Sequence, residues 1–352
     1  MCVTRKGNGI MRSCGAEFLG RGKGLFREIT MKESGTQTKL DLTGESSVIG
    51  LSTAWLTERE DITARDLVGQ FVELGFRGVE LEYRVTERLY REMRPLILKG
   101  KINVISIHNF FPLPDEIPLS GASGDRFLLS SPEKPERELA IRMTTGTIEC
   151  AQDLGAAAVV LHLGKVDMEP ENERLYDLFD NHGLGSPEGR HFLECKLKER
   201  TKKKGPHLES VFSSLDRLNR EAEKRGILLG VENRYHYHQI PDFDEIGLIL
   251  KRFSGGSIRY WHDIGHAHTL ESFGLLEPGS LLRSYGPLSV GVHIHDAVGH
   301  DDHWAPGTGE IDFVSLTDGL KCVPIKILEI HKKSGRLQLM RGRDMLKSIG
   351  II

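Results

Sequence analysis

Ile258-Arg-Tyr-Trp-His-Asp263, running on into Ile264-Gly-His266, is a short stretch of strand-forming residues that ends in a carboxylate and is followed at once by an imidazole. Other apolar runs of the chain end the same way: Ile102–His108 (INVISIH), Ala157–His162 (AAVVLH), Ile227–Glu232 (ILLGVE), Ser289–His293 (SVGVH) and Pro324–Glu329 (PIKILE). Six successive strand candidates therefore carry His, Asp or Glu at the same end.

Short β-branched runs alternating with longer helical patterns imply parallel βαβ units. Polar residues gathered at the carboxyl ends of such strands are the hallmark of a (β/α)8 barrel, which builds its site there. Two earlier runs, Ser47–Leu51 and Gly78–Leu81, bring the strand count to eight. Helical patterns lie between them at Ile62–Leu74, Glu87–Leu98, Glu136–Leu154, Leu208–Arg225, Phe243–Phe253 and, after the last strand, Leu337–Ile349. Leu154-Gly155 and Arg225-Gly226 are the stops expected of helix C-termini. The fold class expected is α/β, a (β/α)8 TIM barrel.

A plain barrel takes roughly 250 residues, and the chain has 352. The excess falls in two places. Residues 1–45 are rich in Gly, Lys, Ser and Thr without sustained apolar periodicity, and read as a disordered or loosely attached N-terminal extension before a barrel at 46–352. Met11 and Met31 are alternative starts within it. The second excess is a charged insertion after strand 4, from Lys165 to about Pro206, which reads first as a solvated segment. Its place in the loop layer above the strand ends also suits a lid.

A formal net charge of −3 and a pI near 6.6 give no overall basic footprint for nucleic acid, although a local patch stays compatible with one. No apolar stretch reaches the roughly 18 residues of a membrane span, and the N-terminus lacks a signal-type apolar core. The five cysteines are scattered and never form Cys-x-x-Cys, which suits a reduced, cytoplasmic protein. Gly20-Arg-Gly-Lys-Gly24 follows no strand and lacks the spacing of a phosphate loop.

None of the 15 histidines precedes His108, and most of the rest sit at strand ends or just beyond them. Imidazole nitrogen together with carboxylate oxygen is a ligand set for zinc, manganese and related ions. An ionised Glu232 or Asp263 at a barrel strand end is costly unless paired or metal-bound. Taken alone, His108 or His162 would read as a hydrogen-bonded core histidine; membership of the set changes that. His295 shares the face of His293, so that either of the two is the ligand and the other its support. His236, His238, His262, His268 and His300 read as loop or orienting residues.

The series His108, His162, Glu232, Asp263, His266, His293, Asp301, His303 and Glu329 resembles the ligands of the xylose isomerase-like TIM barrels, which include endonuclease IV and the sugar phosphate isomerase/epimerase group. The resemblance covers about residues 47–350 and is most specific at Asp263-Ile-Gly-His266 and at Asp301-Asp-His303-Trp-Ala-Pro-Gly307-Thr-Gly309-Glu-Ile-Asp312. It implies Glu232, Asp263, His293 and Glu329 around one divalent ion with His266 beside them, and His108, His162, Asp301 and His303 as added ligands of a three-metal site. The cofactor expected is zinc or manganese, one to three ions.

Two chemistries follow from the resemblance. In the first, an ion chelates oxygens of an open-chain sugar or sugar phosphate while Glu232 and Glu329 exchange a proton as base and acid, giving isomerisation or epimerisation. In the second, three ions promote hydrolysis of a phosphodiester in abasic DNA. The added ligands favour the second. Against it, Asn109-Phe-Phe-Pro112 departs from the His-Ala-Pro-Tyr pattern of endonuclease IV, and Glu232-Asn-Arg-Tyr235 departs from its Glu-Asn-Thr-Ala. The expectation is therefore an isomerase or epimerase acting on a small sugar or sugar phosphate. Arg234, which keeps the inward parity of Glu232, is assigned either to a substrate phosphate or carboxylate or to a ligand carboxylate.

Overall fold

The structure is a computed structural model that describes residues 47–59 and 61–352, together with the backbone of two strands at Glu28–Glu33 and Thr36–Asp41. Most of the expected N-terminal extension lies outside the described residues. The part within them is an antiparallel pair, Glu28–Glu33 against Thr36–Asp41.

Eight parallel strands close into a barrel: β1 (Val48–Ser52), β2 (Gly78–Leu81), β3 (Asn103–His108), β4 (Ala158–Leu161), β5 (Leu228–Glu232), β6 (Ile258–Asp263), β7 (Ser289–Ile294) and β8 (Ile325–Leu328). Each pairs with its neighbour in sequence, and β8 closes on β1 with Ile325 opposite Val48. Helices follow the strands, including Ala64–Glu73, Glu87–Leu98, Lys134–Leu154, Phe243–Arg252 and Arg336–Ser348. Gly155 and Gly226 end two of the long ones in the left-handed conformation, with φ of 72° and 67°.

The barrel interior explains why the polar ends stand where they do. Trp261 is fully buried in the centre of the barrel, and the neighbouring strands face it with Gly230 and Gly291. A Cβ at Gly291 would come within 2.1 Å of the indole, and one at Gly230 within 2.8 Å. Two residues further along each strand, and so on the same inward face, stand Asp263, Glu232 and His293. The apolar plug below thus sets the floor on which a charged layer sits. Strict alternation back from His108 would turn Val104 inward along β3, and the strand departs from it. The register slips between Val79 and Glu80, so that Ile105 packs with the interior residues, while Ser106 points to the buried Glu80. Such a bulge offsets the alternation by one residue.

The expected helix start at Leu208 is also corrected. A single helix runs from Pro187 to Arg225, and Asn172–Asp177 is helical before it. Lys, Glu, Leu and Arg are strong helix formers, and Glu194–Lys198 and Glu199–Lys203 form ion pairs of 2.6 and 2.8 Å one turn apart. Lys196 ties the helix to the preceding loop through Glu171 and the Glu169 carbonyl, both at 2.8 Å. Among the described residues no helix is long and apolar enough to cross a membrane.

Candidate metal centre

At the carboxyl end of the barrel the strand ends converge. Ligand atoms of Glu232, Asp263, His293 and Glu329 all lie within 4.8 Å of one another, and all four side chains are buried. Nδ1 of His293 stands 2.7 Å from Glu232 and 2.9 Å from Glu329. Burial alone would lower the pKa of His293, but the carboxylates of Glu329, Glu80 and Glu232 outweigh it and hold the imidazole well above its ordinary value. Burial would likewise raise the carboxyls of Glu232 and Asp263, and the surrounding histidines pull both well below the usual range.

Three of the candidate imidazoles have one nitrogen committed to a fixed acceptor, which leaves the other for a ligand. Nδ1 of His108 donates to its neighbour's carbonyl at 2.9 Å, Nδ1 of His266 to the Asn233 carbonyl at 3.0 Å, and Nε2 of His293 to Glu80 at 3.0 Å. Their free nitrogens face Glu232, Asp302 and the Glu232–Asp263–Glu329 cluster respectively. His295, the alternative to His293, bonds to a member of this quartet rather than joining it. Its Nδ1 accepts the His303 amide at 2.9 Å, so Nε2 donates to Asp263 at 3.0 Å. Asp263 is also the N-cap of helix Ile264–Ser272 and accepts the His266 amide at 2.7 Å.

Two further groups share members with the first, His108, His162 and Glu232, and Asp263, His295, His303 and Glu329; a third, His266, Asp302 and His303, joins the latter through His303. Of the nine expected ligands, eight fall into these groups and Asp301 does not. Its exposed carboxylate pairs with Lys333 at 2.5 Å and accepts from the Trp304 indole at 2.8 Å. Asp302 stands in its place, with a carboxylate oxygen 2.6 Å from Nδ1 of His303. The two are adjacent in sequence, and His303 adopts φ 60°, a left-handed turn that periodicity does not foretell. His303 is sandwiched between the rings of His295 and His331, each 4.1 Å away. Burial opposes its protonation, but Asp302 and Glu329 prevail and raise it to about 10.

Arg234 is buried. One end of its guanidinium meets His162 and the other donates to Asp125 at 2.9 Å. The half-buried residues around the cluster are Tyr83, Arg84, Tyr235, Asp302, His303 and His331, and these form the approach from solvent.

Several positioning residues carry no signal in the sequence. Glu80 lies in Gly78–Leu81, a run legible only as a strand. Asn233 accepts the Asp263 amide at 2.7 Å and donates to its carbonyl at 2.9 Å, locking the ends of β5 and β6 together. Asp296, fully buried, accepts five amides, from Ala297, Gly307, Thr308, Gly309 and Ile311, at 2.8 to 3.1 Å. That carboxylate folds the loop that carries His303 back on itself. At Gly309 a Cβ would stand 2.2 Å from the Ala297 carbonyl, so the Gly-x-Gly motif is needed for the close approach of backbone.

The chain belongs to the xylose isomerase-like TIM barrel family, which it matches over residues 68–349. No curated protein matches the sequence. Among solved structures, the fold is shared with D-psicose 3-epimerase from Clostridium cellulolyticum H10, crystallised with D-tagatose, at 13% identity and a TM-score of 0.60, covering 86% of this chain and 98% of that one. It is shared too with the 3-keto-D-glucoside 4-epimerase YcjR of E. coli, at 15% identity and a TM-score of 0.58, covering 86% and 100%. The IOLI protein with a bound zinc atom aligns at 14% identity and a TM-score of 0.56, covering 86% and 97%.

Proposed function

We propose that the protein is a divalent-metal-dependent isomerase or epimerase of a small sugar or sugar phosphate. The observation that carries this reading is the buried quartet of Glu232, Asp263, His293 and Glu329, two of whose members are glutamates able to exchange a proton. The donor set suits a cation: three carboxylates and one imidazole converge. Mixed nitrogen and oxygen ligands favour zinc or manganese over magnesium, and the related IOLI fold holds zinc. An ion held there would polarise the oxygens of an open-chain sugar and acidify the carbon beside its carbonyl.

The chain's own groups supply the rest. Glu232 and Glu329, approaching Nδ1 of His293 from β5 and from the end of β8, serve as base and acid on the substrate carbon. Tyr83, edge-on to His108, and Tyr235, stacked on His266, offer aromatic surface that keeps water from the reacting centre. Sugar epimerases among the structural neighbours support this reading. Hydrolysis of abasic DNA is the second reading, and the additional His-rich groups are what favours it.

The test is proton exchange. Manganese- or zinc-loaded protein incubated in deuterated water with a panel of ketoses and ketose phosphates should introduce deuterium beside the carbonyl, read by NMR. Loss of the idea would come from a loaded protein that exchanges no sugar proton and nicks an abasic duplex.

A further inference from the structure

We infer that Arg234 takes the place of a metal ion in the group His108, His162 and Glu232, so that this barrel carries a fixed guanidinium where a further divalent cation would otherwise bind. The inference rests on the proposed metal centre at Glu232, Asp263, His293 and Glu329, from which it removes one neighbouring site.

Three donors alone would suit zinc, which accepts two imidazoles and a carboxylate. The surroundings do not. Nη1 of Arg234 meets Nε2 of His162, the nitrogen that also stands 2.7 Å from Oε2 of Glu232, and lies 3.6 Å from that oxygen. Two of the three donors that would meet on an ion, His162 and Glu232, thus face a guanidinium. Arg234 is held from its other end by Asp125, 2.9 Å from Nη2, and Asp125 also lies 3.5 Å from Nδ1 of His162. A planar, permanently charged group clamped between two carboxylates gives up its place only at the cost of leaving both unpaired in a buried site.

The backbone also packs against this histidine pair. Gly124 lies over the edges of both imidazoles: a Cβ there would be 2.5 Å from Nδ1 of His162 and 3.0 Å from Cε1 of His108. Gly124 and Asp125 belong to the loop between β3 and the helix Lys134–Leu154, so one loop both covers the histidine pair and anchors the arginine. Arg234 is thereby a positioning residue for Glu232, neutralising the oxygen that the quartet leaves over, rather than a hand for substrate phosphate.

The experiment is zinc stoichiometry by elemental analysis on tag-free full-length protein after loading and dialysis, for the wild type, His162→Ala, Arg234→Ala and the double variant. Expected are an unchanged zinc content in His162→Ala, a gain of about one zinc per chain in Arg234→Ala, and loss of that gain in the double variant. A drop of one zinc in His162→Ala would overturn the inference without any need for Arg234→Ala to fold. A well-folded Arg234→Ala, checked by circular dichroism, that gains no zinc would overturn it as well. Wild-type protein that holds no zinc or manganese under any condition would overturn the proposed function first, and this inference with it.

Discussion

Glu80 on β2 and His293 on β7 meet across the barrel mouth, both fully buried, with the carboxylate 3.0 Å from Nε2 of the imidazole. Glu80 thereby fixes which nitrogen carries the proton and turns Nδ1 toward Glu232, Asp263 and Glu329. Ser106 donates to the same carboxylate at 2.8 Å and holds it in place. Carboxylates behind ligand histidines typically account for about 10- to 100-fold in metal affinity. Glu80→Gln should therefore weaken metal binding by roughly that factor with little change in circular dichroism. Chelator competition measures it, and an unchanged affinity would remove Glu80 from the centre.

Substitution at Glu232 and at His162 separates the roles. Glu232→Gln should lower turnover by at least about 100-fold, the lower end of what a general base supplies, with the fold intact. His162→Ala should cost far less, because the group it belongs to is filled by Arg234. Equal, near-zero losses in steady-state rate would sink the assignment of the site.

Metal uptake should expel a proton. The carboxylates around His293 favour its protonated form in the metal-free barrel, and a ligand nitrogen must be bare. A group whose folded pKa lies above its unfolded value stabilises the fold fully below the unfolded value, and that contribution is lost as pH rises through the folded one. Metal-free protein should therefore lose stability as pH rises through the raised His293 value, while metal affinity increases over the same window. Calorimetry in buffers of different ionisation heat reads the proton directly; a binding heat independent of buffer would refute it.

The loop carrying His303 should depend on Asp296. Removing the carboxylate in Asp296→Ala leaves five amides without their acceptor, and an unsatisfied buried donor costs about 1–3 kcal/mol. A loss of at least about 3 kcal/mol in unfolding free energy is expected, with new proteolytic cleavage between Val298 and Ile311. A variant as stable and as resistant as the wild type would show that the loop holds without this anchor.

The strands were legible because apolar runs with polar ends mark a parallel barrel, and Gly78–Leu81 and Ile258–Asp263 match the sequence reading residue for residue. The start of the helix Pro187–Arg225 was not. Its first half is polar on all sides apart from a few contacts, and Gly205-Pro206 reads as a stop although the helix continues through it. Site residues at strand ends followed from the repeated pattern, whereas Asp302 depended on a left-handed backbone at His303. Glu80 and Asp296 were invisible for a different reason: a carboxylate that orients a ligand, or that gathers amides from its own loop, looks in sequence like any other acid.

The four overlapping groups of ligands form a chain with common links, for Glu232, Asp263, His303 and Glu329 each belong to two of them. Mutational effects within the mouth should accordingly be epistatic. Once one link is gone the second loss falls on a group already disrupted, and paired substitutions should cost less than the sum of the single ones. For directed evolution, a new substrate preference is then more readily reached through the half-buried rim at Tyr83, Arg84 and Tyr235, whose side chains can vary one at a time, than through the interlocked residues beneath it.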